Sequence, residues 1–270
     1  MTISKLPIDD RAPVAQQRLG DVAWAELRRL LRKGGVPIPV IVAITAGLVS
    51  GIATMLIMKS LAPEPNRVLT TTSVETGAFV GALVLSVAAV FAVGRDHTGQ
   101  LGLGLSLTPK RERLFMARAL SWAALTATTT ALVTIVLAGL GLILSEGNYA
   151  ESGMLSVAAT VVASTSVVLI AVALAHLVGR AFGAVLLLIG VNVLLPLVVF
   201  AVGAMIPEQA AGAVDALVNV TPTPLFIKAI SATTLEELGL GSLLIGQLGL
   251  AVWVLVLGGL ALTVFRRRNL

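Results

Sequence analysis

Six apolar stretches, each at least about 20 residues long, follow one another along this chain, and charge is confined almost entirely to the gaps between them. They run over 36–61, 74–94, 114–144, 154–178, 181–206 and 241–265. About 20 residues of helix is the length that crosses the hydrocarbon core of a bilayer, and a soluble fold buries one or two such helices, not six in succession. The chain is 57% hydrophobic and 12% charged, with a mean hydropathy of +0.98, outside the usual range of a soluble domain. The expected fold is an all-α polytopic membrane protein with six transmembrane helices.

The sign of the charge alternates from gap to gap. With the amino terminus inside, 16 Lys and Arg face the cytoplasm and 3 (Lys59, Arg67 and Lys228) face outward, together with 8 of the 14 acidic residues. An excess of Lys and Arg on cytoplasmic loops sets orientation, so both termini are expected inside. The net charge of +5 is thus a topology signal and an attraction for anionic lipid headgroups, not a nucleic-acid patch. With no cysteine, disulfides, thiolate catalysis and Cys-based metal sites are excluded. Arg-rich, Ala/Val/Leu/Gly-rich usage points to a GC-rich bacterial genome and to the bacterial cytoplasmic membrane.

Residues 1–16 are polar, carry Pro7 and Pro13, and are expected to be disordered. Over 17–35 a helical period places Leu19, Val22, Ala23, Trp24, Leu27, Leu30 and Leu31 on one arc. Arg18, Asp21, Arg28, Arg29, Arg32 and Lys33 fall opposite, which describes an interfacial helix with Trp24 at headgroup depth and its arginines toward lipid phosphates. Glu26 falls inside the apolar arc. Two readings stand: an edge carboxylate paired with Arg29 or Arg18, or a contact to a partner or neighbouring helix.

Two gaps carry pattern of their own. The cytoplasmic loop 95–113 is amphipathic, spaced by Gly99, Gly102 and Gly104, and closed by Thr108, Pro109, Lys110, Arg111 and Arg113. A plain connector is shorter and more polar. The phosphate-cradling order G-x-x-x-x-G-K-[ST] occurs nowhere, so the chain has no P-loop of its own, and no cofactor is expected. The outer segment 207–240 reads as two short helices half-sunk at the outer face, interrupted at Thr221-Pro222-Thr223-Pro224; the basic tail is 266–270.

The spans themselves are poor in chemistry. Glu75 sits at the outer end of the second; His97, Arg118, His176 and Arg180 sit at inner ends, where they snorkel or stay wet. The lack of mid-bilayer ionisable groups weighs against a proton-coupled pump, and neither histidine suits intramembrane hydrolysis, so the chain is not expected to be an enzyme. Milder polar features remain. Asn192 and Pro196 lie one turn apart in the fifth span, where Pro frees a carbonyl and allows a kink, and Asn192 can bond to that carbonyl or to another helix. Thr126, Thr129, Thr130 and Thr134 recur along the third span and Ser164, Thr165 and Ser166 lie in the fourth, as helix-packing hydroxyls in preference to substrate contacts. The pairs Gly47/Gly51, Gly77/Gly81 and Gly179/Gly183 permit close helix approach.

Three stretches carry a resemblance. Ala25-Glu26-Leu27-Arg28-Arg29 precedes the first span, and Asp96, Gly99, Pro109, Arg111 and Arg118 pattern the second-to-third loop. The fourth-to-fifth junction runs from His176 through Arg180 to Gly183, followed by Leu194-Leu195-Pro196. In these the chain resembles the permease subunit of type-2 ABC transporters, actinobacterial members especially. The resemblance implies a coupling helix at Asp96, Gly99, Thr108, Pro109, Lys110 and Arg111, docked on a separate cytoplasmic P-loop ATPase present in two copies. It implies a second permease as partner, in a homodimer or heterodimer, and export of cargo. The apolar spans point to an amphiphilic cargo such as a lipid, peptide antibiotic or drug. Asp96-His97, where Glu and an aromatic or basic residue are common, departs from the family pattern. The alternatives are a stand-alone secondary transporter or channel, which calls for inverted repeats and broken helices, and a non-transporting membrane assembly or immunity factor.

The orientation is testable in this cysteine-free chain. Cysteines placed by Arg111→Cys or Arg267→Cys should react with a membrane-impermeant maleimide only after the membrane is opened; reaction in intact cells overturns it.

Overall fold

The computed structural model describes residues 18–32, 36–61, 67–99, 111–144, 153–203, 216–230 and 239–267. Every element among them is helical: α1 (Leu19–Arg32), α2 (Pro37–Leu61), α3 (Arg67–Gly99), α4 (Arg111–Leu144), α5 (Gly153–Val178), α6 (Ala181–Ile189), α7 (Leu195–Gly203), α8 (Pro222–Ile230) and α9 (Gly239–Arg267). A single π-helical turn, Gly190–Leu194, joins α6 to α7. Six helical stretches are long and apolar enough to cross a membrane: α2, α3, α4, α5, the α6–α7 unit and α9.

Helix α5 is the hub, touching α3, α4, α6, α8 and α9. Its apolar window is 61% buried against 17% for α9, so the second half of α5 faces protein on every side while α9 presents most of its surface outward. Hydrocarbon solvates Leu or Val about as well as a protein core does, so helices here need close contact more than apolar burial. Glycine supplies it. A side chain at Gly47 would fall 2.9 Å from the Gly77 carbonyl oxygen, and one at Gly51 would fall 2.9 Å from the Ser73 oxygen. The expected small-residue contacts at Gly47, Gly51 and Gly77 therefore form the α2–α3 crossing, while Gly81 has ordinary clearance there. Gly179/Gly183 is different. Gly179 has φ 71° and makes the turn between α5 and α6, a left-handed conformation that glycine adopts without strain.

A second close approach was not legible in the sequence. Beside Gly246, α8 lies so near α9 that a side chain would meet the Ala229 amide, with the Leu225 oxygen at 2.8 Å; Gly249 receives the Leu225 side chain. Helix α8 also packs on α5, and Phe226 is fully buried against Phe79 of α3 with ring centroids 5.2 Å apart. The expectation of short helices half-sunk at the outer face is thus corrected. Trp253 of α9 lies 14 residues from either end of that helix, about 21 Å, and its indole N–H reaches the Val220 oxygen at 2.8 Å. Helix α8 begins at the middle depth of the bundle and runs back toward its acidic end. Residues 204–215 and 231–238 of the outer segment lie outside the described residues, as do the tail 1–17 and residues 268–270.

Glycine contacts make sharp expectations for thermal unfolding in detergent. Gly246→Ala should destabilise by about 1–3 kcal/mol, since backbone must move. Gly258→Ala, with nothing within 4 Å, should be neutral or stabilising by up to about 1 kcal/mol.

Candidate functional sites at the basic end and at mid-depth

At the basic end of the bundle, α1 lies on α4. Its inward face is Val22, Glu26 and Leu30, spaced by four residues and all buried. Glu26 is therefore the centre of the packed face and not the edge residue of the first reading, although it does pair with Arg29, and it contacts a neighbouring helix as the second reading has it. Its Oε2 accepts from Arg29 Nε at 2.6 Å within the helix, and its Oε1 lies 3.8 Å from Arg118 Nε of α4. Arg118, expected to snorkel, is only 3% exposed. One turn on, the Ser121 hydroxyl donates to the Ala23 oxygen at 2.9 Å, a second polar stitch across the same interface. The cleft between Glu26, Arg29, Leu30, Ala92, Val93, Arg118 and Trp122 holds about 10 Å³, room for a water and nothing larger. This is a structural joint, not a ligand pocket. The outward face of α1 exposes Trp24 and Leu31, and the Arg28 guanidinium sits 5.0 Å from the Trp24 ring.

A second joint ties α4 to α9. Arg111 Nη1 donates to the Arg266 carbonyl at 3.2 Å, and Arg266 Nη2 meets Glu112 Oε1 at 2.7 Å. Both ends of that ion pair are about half exposed, so it contributes little by itself. The grip lies beneath it. His176, expected to stay wet, is fully buried between Phe115 of α4 and Phe265 of α9, at centroid distances of 5.0 and 5.2 Å.

The expected loop 95–113 is shorter than anticipated. Helix α3 continues through Asp96 to Gly99, and Arg111 opens α4. Thr108, Pro109 and Lys110 lie outside the described residues. The structure thus brings Glu26, Arg29, Arg118 and Arg111 to one end of the bundle.

At mid-depth the fifth span passes through the π turn Gly190–Leu194 just ahead of Pro196, without leaving the helix. Pro196 has no N–H for the carbonyl four residues back, which is that of Asn192. The Asn192 side chain does not fill the gap; its Nδ2 donates to the Leu188 oxygen at 2.9 Å. The freed carbonyl is met by Thr223 of α8, whose hydroxyl donates at 2.8 Å. The sequence signalled a freed carbonyl but not its partner, 31 residues away. Gln247 Nε2 of α9 completes the seam, lying 2.9 Å from the Ala159 oxygen of α5 and 3.2 Å from the Ala229 oxygen in the last turn of α8.

The threonine ladder of the third span faces the inside of the bundle. Thr126, Thr129, Thr130 and Thr134 are all buried, as are Thr160 and Ser164 on α5, and Thr134 returns its hydroxyl to the Thr130 carbonyl. These groups pack helices. Among the described residues no His, Cys, Asp and Glu cluster suits a metal ion.

Six membrane-length helices around a shared core define a multi-pass α-helical membrane protein. No protein-family model and no curated protein matches the chain.

The buried joint sets an expectation. Arg118→Met should cost about 3 kcal/mol in thermal unfolding, because it leaves Glu26 partly stranded in a mostly buried interface. Adding Glu26→Leu should recover much of that loss, since replacing both charges by apolar groups is often near neutral.

Proposed function

We propose that the chain is the membrane-spanning permease subunit of an ATP-driven exporter in a bacterial cytoplasmic membrane, with both termini cytoplasmic and α1 along the inner leaflet. The observation that carries this reading is the build of the basic end. Helix α4 is 34 residues long, about 50 Å, well over the roughly 30 Å of a hydrocarbon core, and α3 is 33 residues. Their extensions carry residues 100–110 between them, and α4 is keyed to α1 through Glu26 and to α9 through the Phe115–His176–Phe265 stack. A push on such a loop moves three helices together, as a coupling helix on an ATPase requires. The chain has no P-loop, so ATP hydrolysis belongs to a cytoplasmic partner in two copies. A second permease would cover part of the outward faces of α2 or α9. The spans are apolar throughout, which favours an amphiphilic or hydrophobic cargo.

One observation speaks for a secondary transporter instead: the half-helix α8 packed beside the π turn of the fifth span, which resembles the discontinuous helices of that class. An inverted repeat would pair the α3–α4 connection with the α7–α9 connection. The first spans 11 residues and the second 35, so the halves do not match.

Isolation in mild detergent separates these readings. The wild-type chain should carry a P-loop ATPase with it and support ATP-dependent export. Pro109→Ala/Arg111→Ala should lose both while still inserting in the membrane. Retention of the ATPase by that variant refutes the loop assignment, and a wild-type chain that never carries one refutes the exporter.

A further inference from the structure

Helix α8 starts where a helix start is costly. The first N–H groups of any helix lack partners within it, and in a dry, mid-depth setting each orphan is expensive. Here Thr221 N–H is returned to the Val218 oxygen at 3.1 Å, and Pro222 and Pro224 have no N–H at all. The Leu225 amide reaches the Thr221 carbonyl at 3.1 Å. Thr223 is the one residue of the opening Thr-Pro-Thr-Pro turn that both keeps an N–H and sends its side chain to another helix, onto the carbonyl that Pro196 sets free. The acceptor sits in the π turn Gly190–Leu194, where the Leu195 amide reaches back five residues to the Gly190 oxygen. Single π turns are uncommon, mark places where a helix changes register, and gather at functional positions.

From this geometry we infer that Thr223 and the Asn192 carbonyl form a releasable latch, with the π turn as its hinge. The latch holds the inner end of α8 against the fifth span and closes the bundle at mid-depth. Release leaves little unsatisfied on the α8 side, because two prolines have removed the donors that would otherwise need partners. Leu225 and Ala229 stay seated on Gly249 and Gly246, and the Gln247 amide holds the Ala229 carbonyl, so release moves the opening turn of α8 ahead of Leu225. This deepens the exporter reading by assigning the moving contact of its pathway, and it is tested without any ATPase.

Thr221 is 2% exposed and adjoins the latch, and the chain has no native thiol. A cysteine introduced by Thr221→Cys is then a reporter for water reaching the α8 start, read as its rate of reaction with a water-soluble maleimide in lipid nanodiscs. Thr223→Val, which keeps shape and removes the hydroxyl, should raise that rate about fivefold, the scale of one hydrogen bond. Thr223→Ser should leave it unchanged. Pro196→Ala offers an amide N–H to the same stretch of carbonyls and should raise the rate similarly. The double variant should add nothing further, since both changes act on one contact. An unchanged rate in Thr223→Val, a Thr223→Ser rate equal to that of Thr223→Val, or multiplying effects in the double variant overturns the latch. If export and ATPase retention fail while these rates behave as stated, the exporter reading falls and the latch stands.

Discussion

In hydrocarbon there is no water to take up an unpaired backbone amide or carbonyl, and this constraint organises the bundle more than apolar burial does. Long helices satisfy it internally. The informative places are those where the chain departs from a continuous helix, because each must find an external partner. Pro196 frees one carbonyl, and a hydroxyl from another element fills it. The α8 start would expose several amides, and two prolines remove them from the count. The carboxyl end of α8 leaves carbonyls over, and Gln247 takes that of Ala229 while holding α5 at Ala159. Three departures, two answered by a named side chain and one by prolines without an amide N–H, explain why a short, non-spanning helix is stable inside the bundle.

The same constraint separates what the sequence disclosed from what it concealed. Hydropathy located α2, α4, α5 and α9 to within about three residues, because an apolar run and a helix end together there. It shortened α3, whose helix begins at Arg67 and not at the apolar residues near 74, since Thr70 to Ser73 are helical without being apolar. Composition detects hydrocarbon, not helix. Thr-Pro-Thr-Pro was legible as an interruption, yet proline at the first turn is also a helix start. What decides between them is the environment of the amides, which depends on α5 and α9. Glu26 illustrates the same limit. On a helical wheel it interrupts an apolar arc meant for lipid; in the bundle that arc is divided, Val22 and Leu30 facing α4 and Trp24 and Leu31 facing out. The carboxylate needs Arg118, 92 residues along the chain, before its position makes sense.

At the basic end, buried and exposed polar contacts sit side by side and do different things. The Glu112–Arg266 pair is solvated and screened, so its contribution is small, though it fixes how α9 ends over α4. Glu26 with Arg29 and Arg118 is withdrawn from water, so losing one partner costs far more than the pair contributes when intact. Buried ion pairs are weak sources of stability and good sources of register. Such a contact sets one orientation of α1 on α4, where an apolar interface would tolerate several. The fully buried His176 between two phenyl rings adds shape where the ion pair adds orientation.

Helix α9 connects these two regions. Its last turn is held to α4, its middle carries Trp253 against the chain just before α8, and its first half seats α8 on Gly246 and Gly249. Little of its surface is buried, and what is buried is spent on these contacts. A tilt of a helix of 29 residues moves both of its ends. The glycine seat allows no gap between α8 and α9 at Leu225 and Ala229, so that part of α8 must follow α9. Its inner end is held to the fifth span by a single hydroxyl. Movement of α9 relative to that span therefore loads the hydrogen bond from Thr223 to the Asn192 carbonyl.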